Sequence, residues 1–240
     1  MSKLIAVCGS PESGKTTLAL KLAQELYYTK KTSVLFFSVD LNVPVMGYIF
    51  PHCKESDLYS IGKTLDKTDI YREDVMKQIV TVKTMMNFGF LGFKAGENKY
   101  SYPRPTEDKV LELFRCMSEI ADYVVIDCVS DNEDFMSMLA KREADVVIQT
   151  STPDLKCMTY FASNNDAYLG CSDKMVIVMN TKEKDLFLPF DEVKNHFKKV
   201  QFVLPYSLAL KQQTITGTLS ERLTDRKYRE VISNLAKAVS

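Results

Sequence analysis

The residues with the clearest chemical meaning lie near the N-terminus, in a stretch of eight residues that spans positions 9–16. It reads Gly-Ser-Pro-Glu-Ser-Gly-Lys-Thr and matches the phosphate-loop pattern G-x-x-x-x-G-K-[ST] at every fixed position. Glycines let such a backbone fold around a phosphate chain, so that its N–H groups point at the anionic oxygens. The predicted ligand-binding residues of this loop are Gly9, Glu12, Ser13, Gly14, Lys15, Thr16 and Thr17.

Two residues of the loop are expected to have separate roles. The Lys15 ammonium would reach the β- and γ-phosphates of a nucleotide, and the Thr16 hydroxyl would ligate Mg²⁺. The apolar run Leu4–Cys8 before the loop predicts a buried strand, and Thr17–Leu26 after it predicts a helix. Because strand, loop and helix in this order are the context that a phosphate loop requires, we predict that the chain binds a nucleoside triphosphate.

Two carboxylates follow apolar runs and are expected at the same edge of a sheet. Asp127 ends the run Tyr123–Ile126, a pattern typical of the aspartate that reaches the magnesium shell. Asp40 follows the run Val34–Phe37 and is expected to orient the attacking water, with an ordinary turn residue as the alternative. The predicted catalytic residues are Lys15, Asp40 and Asp127, and the predicted metal ligands are Thr16 and Asp127.

Composition excludes some classes of function. The 240 residues carry 31 Lys+Arg and 31 Asp+Glu, so the formal net charge is zero. This balance argues against binding nucleic acid or anionic lipid over a large area, although a weak local contact with DNA or a membrane stays open. Six cysteines without C-x-x-C pairing, and no basic-then-apolar leader, predict a reduced cytoplasmic protein without disulfides. We expect a single domain over residues 1–240.

Short apolar runs alternate with helical stretches along the rest of the chain. This alternation predicts an α/β fold, a mostly parallel twisted sheet with helices on both faces, as in P-loop NTPases. Further strands are predicted at 146–148, 175–179 and 202–204, with an extended segment at 85–93. Helices are predicted at 72–80, 106–120, 133–142, 154–168, 191–197 and 225–239, and a loop with short helical pieces at 41–69.

Three later strand ends carry further motifs. Ala144–Asp154 contains a strand followed by Thr-Pro, Val176–Asn180 ends in an amide, and Leu204–Tyr206 contains a Pro-Tyr pair. With the phosphate loop and the strand-ending aspartate before them, this order resembles the MinD/ParA family of ATPases over nearly the whole chain. The resemblance implies that the ligands are ATP or ADP with Mg²⁺, and that Asn180 and Pro205 contact the adenine.

The phosphate loop departs from that family. The family pattern is G-K-G-G-x-G-K-[ST], whose early signature lysine contacts nucleotide across a face-to-face dimer. Here that position is Ser10, followed by Pro11 and Glu12, and Ser38 replaces the first acidic residue after the second strand. Without the ammonium group of that lysine, the two ATP-bearing faces of a dimer would meet with one fewer positive charge per site to balance their phosphates. Three consequences stay open: another cation replaces the lysine, the dimer is weaker, or hydrolysis is slow. In this respect the chain resembles TadZ/CpaE-like proteins.

The resemblance implies a slow ATPase that acts as a switch. It would form a homodimer with Mg·ATP, bind a protein partner, and position a cargo such as plasmid or conjugative DNA or pilus or secretion machinery. Two alternatives stay open: a nucleotide-bound scaffold without hydrolysis, suggested by Ser10 and Ser38, and a small-molecule kinase, suggested by the orthodox loop. The C-terminal helix, with basic residues at 226–229, would either pack on the sheet or contact a membrane.

Overall fold

A single mixed sheet forms the centre of the molecule in the computed structural model, which describes residues 2–184, 189–197 and 199–240. The strands are β1 (Lys3–Gly9), β2 (Val34–Ser38), β3 (Val80–Val82), β4 (Met85–Leu91), β5 (Tyr123–Asp127), β6 (Val146–Ser151), β7 (Met175–Asn180) and β8 (Val200–Leu204). Their order in the sheet is β3-β4-β2-β5-β1-β6-β7-β8. Only β3, antiparallel to β4, breaks the parallel arrangement among these strands. The predicted fold class is confirmed.

Helices connect most of the parallel strands. In the described residues they are α1 (Lys15–Lys30), α2 (Met46–Ile49), α3 (Gly62–Leu65), α4 (Arg72–Met76), α5 (Glu107–Ile120), α6 (Phe135–Glu143), α7 (Leu155–Asn164), α8 (Phe190–His196), α9 (Leu208–Thr216) and α10 (Arg226–Val239). Short 3-10 segments lie at Glu55–Asp57 and Asn165–Lys174. The short pieces between residues 41 and 69 agree with the predicted loop.

Three local predictions were wrong or incomplete. The helix predicted at 72–80 ends at Met76, and Val80 begins β3, because the β-branched run Val80–Val82 pairs with the sheet edge. The helix predicted at 154–168 ends at Asn164 and continues as a 3-10 segment. Helix α9 was not predicted; it begins after Ser207, whose hydroxyl accepts a hydrogen bond from the Leu210 N–H at 3.2 Å.

The core has two layers, one on each face of the sheet. Alternating residues of β1 divide between them, since Ala6 packs in one cluster and Ile5 in the other. Helices α5, α6 and α7 cover the first face, where Leu113 and Leu139 are buried. Helices α1 and α10 cover the second. Helices on both faces leave the carboxyl ends of the strands as the edge where loops are free to form a site.

The C-terminal helix packs its apolar face inside the molecule. Asp225 caps α10, and Tyr228, Ile232 and Val239 are buried against the cluster that includes α1. This packing is the first of the two readings offered by the sequence. None of the helices in the described part of the chain has both the length and the hydropathy needed to cross a membrane.

Candidate functional site

The phosphate loop joins the end of β1 to the start of α1, at the centre of the sheet. Backbone geometry requires glycine at both of its glycine positions. A Cβ on Gly9 would lie 2.2 Å from the Thr150 carbonyl oxygen, and Gly14 has a φ of 84°, in the left-handed region. The loop therefore needs glycine at both fixed positions of the pattern, independently of any ligand.

Lys15 begins α1 and folds back over the loop. Its Nζ donates to the Ser10 carbonyl oxygen at 2.9 Å and to the Ser130 hydroxyl at 2.5 Å. Burial lowers the pKa of Lys15, and the nearby Asp127 carboxyl opposes that shift. A partly desolvated ammonium in this position suits phosphate oxygens, which it would bind in place of the Ser130 hydroxyl.

Thr16 and Asp127 are brought together as predicted. The Thr16 hydroxyl donates to Asp127 Oδ2 at 2.8 Å, and the Ser38 hydroxyl donates to the same oxygen at 3.0 Å. The strand register explains the second contact, since Ser38 of β2 lies beside Asp127 of β5. Sequence reasoning noted Ser38 only as a missing carboxylate; its role as a partner of Asp127 was missed.

Asp127 is suited to a cation. The residue is 2 % exposed, and its second carboxylate oxygen has no hydrogen-bond partner in the described part of the structure. Burial raises the pKa of Asp127 to about 6, against the hydrogen bond from Thr16. The described residues contain no cluster of three or more His, Cys, Asp or Glu that could hold a metal by itself. One hydroxyl and one carboxylate, completed by phosphate and water, match the way Mg²⁺ binds with nucleotides.

Asp40 lies beside this pair, and its observed contacts form a turn. Its Oδ1 accepts hydrogen bonds from the backbone N–H groups of Asn42 at 2.8 Å and Val43 at 2.9 Å. It is also close enough to contribute electrostatically at both Lys15 and Asp127. Asp40 therefore fits the turn role that the sequence left open, and water positioning stays a prediction.

A cleft of about 390 Å³ opens beside the loop. Asn180 and Pro205, the two residues that are expected to contact the adenine, are among its lining residues. Asn180, at the end of β7, donates from Nδ2 to the Ser13 carbonyl oxygen at 2.9 Å. Pro205, which directly follows β8, also lines the cleft, together with Gly14 of the phosphate loop and Thr17 of α1. The structure thus brings Asn180, Pro205 and the phosphate loop into one continuous site.

Comparison with known proteins addresses the fold. No protein-family profile matches this sequence, and a search of curated proteins finds no match. Among solved structures, MinD from Pyrococcus furiosus is 17% identical, with a TM-score of 0.77 over 99% of this chain and 98% of its own. A ParA family ATPase from Chlorobium tepidum is 13% identical, with a TM-score of 0.75 over 98% of each chain. The chain has the MinD/ParA fold. Pyrococcus horikoshii MinD, crystallised with Mg-ADP, is 17% identical, with a TM-score of 0.76 over 100% of this chain and 96% of its own.

Around the phosphate loop, the structure shows how the residues between its two glycines are placed. Ser10, where the sequence resemblance leads one to expect a lysine, is only 1 % exposed. Glu12 is exposed at the rim, and its carboxylate lies 3.4 Å from Lys156 Nζ. The Nζ of Lys182 donates to the Glu12 carbonyl oxygen. Two lysines from outside the loop, Lys156 at the start of α7 and Lys182 after β7, therefore contact Glu12 of the phosphate loop.

Two contacts of the loop were missed by sequence reasoning. Ser130 follows Asp127 by three residues and Lys182 follows Asn180 by two. Each lies close behind a motif residue that ends a strand, Asp127 of β5 or Asn180 of β7. Nothing in the residue types alone separated them from ordinary loop residues.

Proposed function

We propose that the chain is a nucleotide-dependent switch that binds Mg·ATP and hydrolyses it slowly. The observation that carries this proposal is the continuous site, in which Lys15, the Thr16–Asp127 pair and the cleft at Asn180 lie side by side. Their order matches triphosphate, metal and base of one nucleotide. Residues 1–240 would act as one domain.

The residues have distinct parts in the proposed reaction. Lys15 would bind β- and γ-phosphate oxygens, and the loop N–H groups would hold the triphosphate of the nucleotide in line for attack by water. Bound Mg²⁺ would neutralise charge on the same oxygens, held by Thr16 and Asp127. Asp40 would orient the water through the oxygen that the turn leaves free. Asn180 and Pro205 would contact the adenine.

Dimerisation through the nucleotide face is part of the proposal. Val43, Leu155 and Leu208 are exposed large apolar residues, and they follow the carboxyl ends of β2, β6 and β8. They therefore lie on the same edge of the sheet as the phosphate loop. Exposed apolar side chains around a ligand site are typical of a surface that a second chain covers. The chain, as a TadZ/CpaE-like or other MinD/ParA-type protein, would bind its protein partner and cargo in the switched state, in the cytoplasm, at a membrane or at the nucleoid.

The test of this proposal is molar mass in solution by light scattering. Samples without nucleotide, with Mg-ADP and with a non-hydrolysable ATP analogue plus Mg²⁺ are compared, with Lys15→Ala as control. A shift from monomer to dimer with the analogue alone, lost in Lys15→Ala, supports the switch. Equal mass in all states contradicts ATP-gated dimerisation.

A scaffold without hydrolysis is favoured by two observations. Ser10 is buried where the signature lysine is expected, and the Ser38 hydroxyl takes the place of a carboxylate next to Asp127. This alternative predicts tight ATP binding with negligible phosphate release. A turnover assay at saturating Mg·ATP separates it from the slow ATPase.

A small-molecule kinase is favoured by a second cleft of about 440 Å³. Asn42 and Asp131 line it, and they adjoin Asp40 and Ser130 of the phosphate site. Lys99 and Arg104 also line it, and neither has an ion pair within the described residues. This alternative predicts that phosphate transfer from ATP depends on an added acceptor, which the same assay would reveal with small organic acids as probes.

A further inference from the structure

Lys182 contacts two parts of the site, although neither the loop pattern nor the strand-end motifs assign it a role. Its Nζ donates to the Glu12 carbonyl oxygen in the phosphate loop, and the residue also lines the base cleft. Two residues earlier, Asn180 Nδ2 donates to the next carbonyl, that of Ser13, at 2.9 Å. The last residue of β7 and the second residue after it therefore contact two consecutive carbonyl groups of the loop.

Peptide geometry gives this contact a consequence. In a planar trans peptide the C=O and the following N–H point in opposite directions. With the Glu12 and Ser13 carbonyls directed at Lys182 and Asn180, the N–H groups of Ser13 and Gly14 turn to the opposite side. The Ser13 N–H accordingly donates to the Ser10 carbonyl oxygen inside the loop, at 3.3 Å. These N–H groups are the ones that a phosphate would use.

The loop also needs support at this point. Glu12 has a φ of 59°, in the left-handed region that a residue with a Cβ rarely adopts. The carboxylate contact with Lys156 gives little support, because both side chains are more than half exposed and surface ion pairs are weak. The backbone contact from Lys182 restrains the peptide itself.

We propose that Lys182 is a positioning residue that couples the base cleft to the phosphate loop; the nature of the ligand rests on the proposed function above. A base bound in the cleft covers the Lys182 side chain and shields its contact with the Glu12 carbonyl from water. A hydrogen bond strengthens when its surroundings become less polar. Occupation of the base cleft thereby fixes the loop N–H groups towards the phosphates.

The first experiment tests the loop contact without any nucleotide. Amide hydrogen exchange of residues 9–16 is compared in the wild type, Lys182→Met, Lys182→Arg and Lys184→Met. Lys184 is the matched control, since it is an exposed lysine two residues further along the same segment. We expect exchange in the loop to be about tenfold faster in Lys182→Met, partly restored by arginine and unchanged in Lys184→Met. Unchanged exchange in Lys182→Met overturns the proposal.

The second experiment tests the coupling. Binding of Mg·ATP and of Mg·tripolyphosphate, which lacks the base, is measured by calorimetry in the same variants. We expect Lys182→Met to weaken ATP binding about tenfold and tripolyphosphate binding clearly less. Equal losses for both ligands overturn the coupling. A wild type that binds neither ligand contradicts the proposed function and the coupling, and hydrogen exchange still decides the loop contact separately.

Discussion

At the scale of single residues, the buried carboxylate of Asp127 suits the proposed cation but lowers the stability of the fold. A carboxylate that is 2 % exposed, with one oxygen unpartnered in the described structure, costs free energy while it is charged. The raised pKa of about 6 expresses this cost, because the folded state favours the protonated form. Protonated Asp127 therefore contributes to the free energy of unfolding below the pKa of the unfolded chain, near 4, and this contribution is lost as the pH rises through 6. At pH 8 the empty site therefore carries the full penalty.

Asp127→Asn is expected to stabilise the chain at pH 8 with chelator and no nucleotide, by roughly 1–3 kcal/mol. The amide oxygen can still accept from Thr16 and Ser38, and the buried charge is removed. The free energy of unfolding in urea measures this gain. The same variant should lose Mg²⁺-dependent nucleotide binding. An unchanged or lower free energy of unfolding would show that the buried charge of Asp127 does not destabilise the folded state.

Asp40→Asn separates the two roles that the residue has been given. Asparagine can accept the same hydrogen bonds from the N–H groups of Asn42 and Val43, so the turn and the stability should be retained. If Asp40 orients water, the loss of charge should lower kcat for ATP about a hundredfold with little change in KM. Steady-state phosphate release measures both constants. An unchanged kcat would leave Asp40 as a turn residue alone.

The strong motif residues of the site could be predicted from sequence, because each combines a residue type with a defined place, at the start of the helix after the phosphate loop or at a strand end. Lys15 folds over the loop, Thr16 contacts Asp127, and Asn180 reaches the loop. Their partners could not be predicted in the same way. The contact of Ser130 with Lys15 depends on how a loop folds back, which no periodicity in the sequence records.

At the scale of elements, one buried lysine links α1 to the segment before α10. Lys21 Nζ donates to the carbonyl oxygens of Leu219 at 2.8 Å and Glu221 at 2.9 Å, and to Gln24 Oε1 at 3.2 Å. The adjacent Gln24 side chain donates to the same segment. This helix begins at the phosphate loop, so the contacts hold the C-terminal part of the chain to the element that carries Lys15.

Lys21 should make stability depend on pH. Burial lowers its pKa to about 7, whereas a lysine in the unfolded chain titrates near 10.5. Between these values the unfolded state binds more protons, so the free energy of unfolding should rise with pH, by roughly 1 kcal/mol per pH unit. Urea unfolding of the wild type and Lys21→Met from pH 7 to 9 measures the difference in slope. Equal slopes would contradict a depressed pKa.

The strands of the sheet were easier to predict than the helices, and the reason is physical. Central parallel strands are buried on both faces, so β1, β5 and the first half of β6 appear as continuous apolar runs. The edge strand β3 has only three residues and follows a helical pattern, so its antiparallel pairing depends on the tertiary neighbour β4. Helix α9 has no buried residue, so it lacks the apolar periodicity that reveals a helix.

At the scale of the whole molecule, the proposed dimer should depend on apolar residues at the nucleotide edge and be insensitive to those elsewhere. Leu155 is 65% exposed at the start of α7, beside the loop rim where Lys156 meets Glu12. Leu155→Glu should leave the monomer folded, because the side chain is largely in water, and should abolish the shift to dimer with a non-hydrolysable ATP analogue. Burying an unpaired carboxylate against a second copy costs more than the apolar contact gains.

Met86→Glu is the matched control for that experiment. Met86 is 85% exposed at the start of β4. Because β4 runs parallel to β2, Met86 lies at the amino ends of the parallel strands, whereas the phosphate loop lies at their carboxyl ends. Light scattering should show the wild-type dimer in this variant and the monomer in Leu155→Glu. Nucleotide binding by calorimetry should be retained in both, which separates loss of the interface from loss of the ligand. Dimers in both variants would mean that the second copy binds through another face.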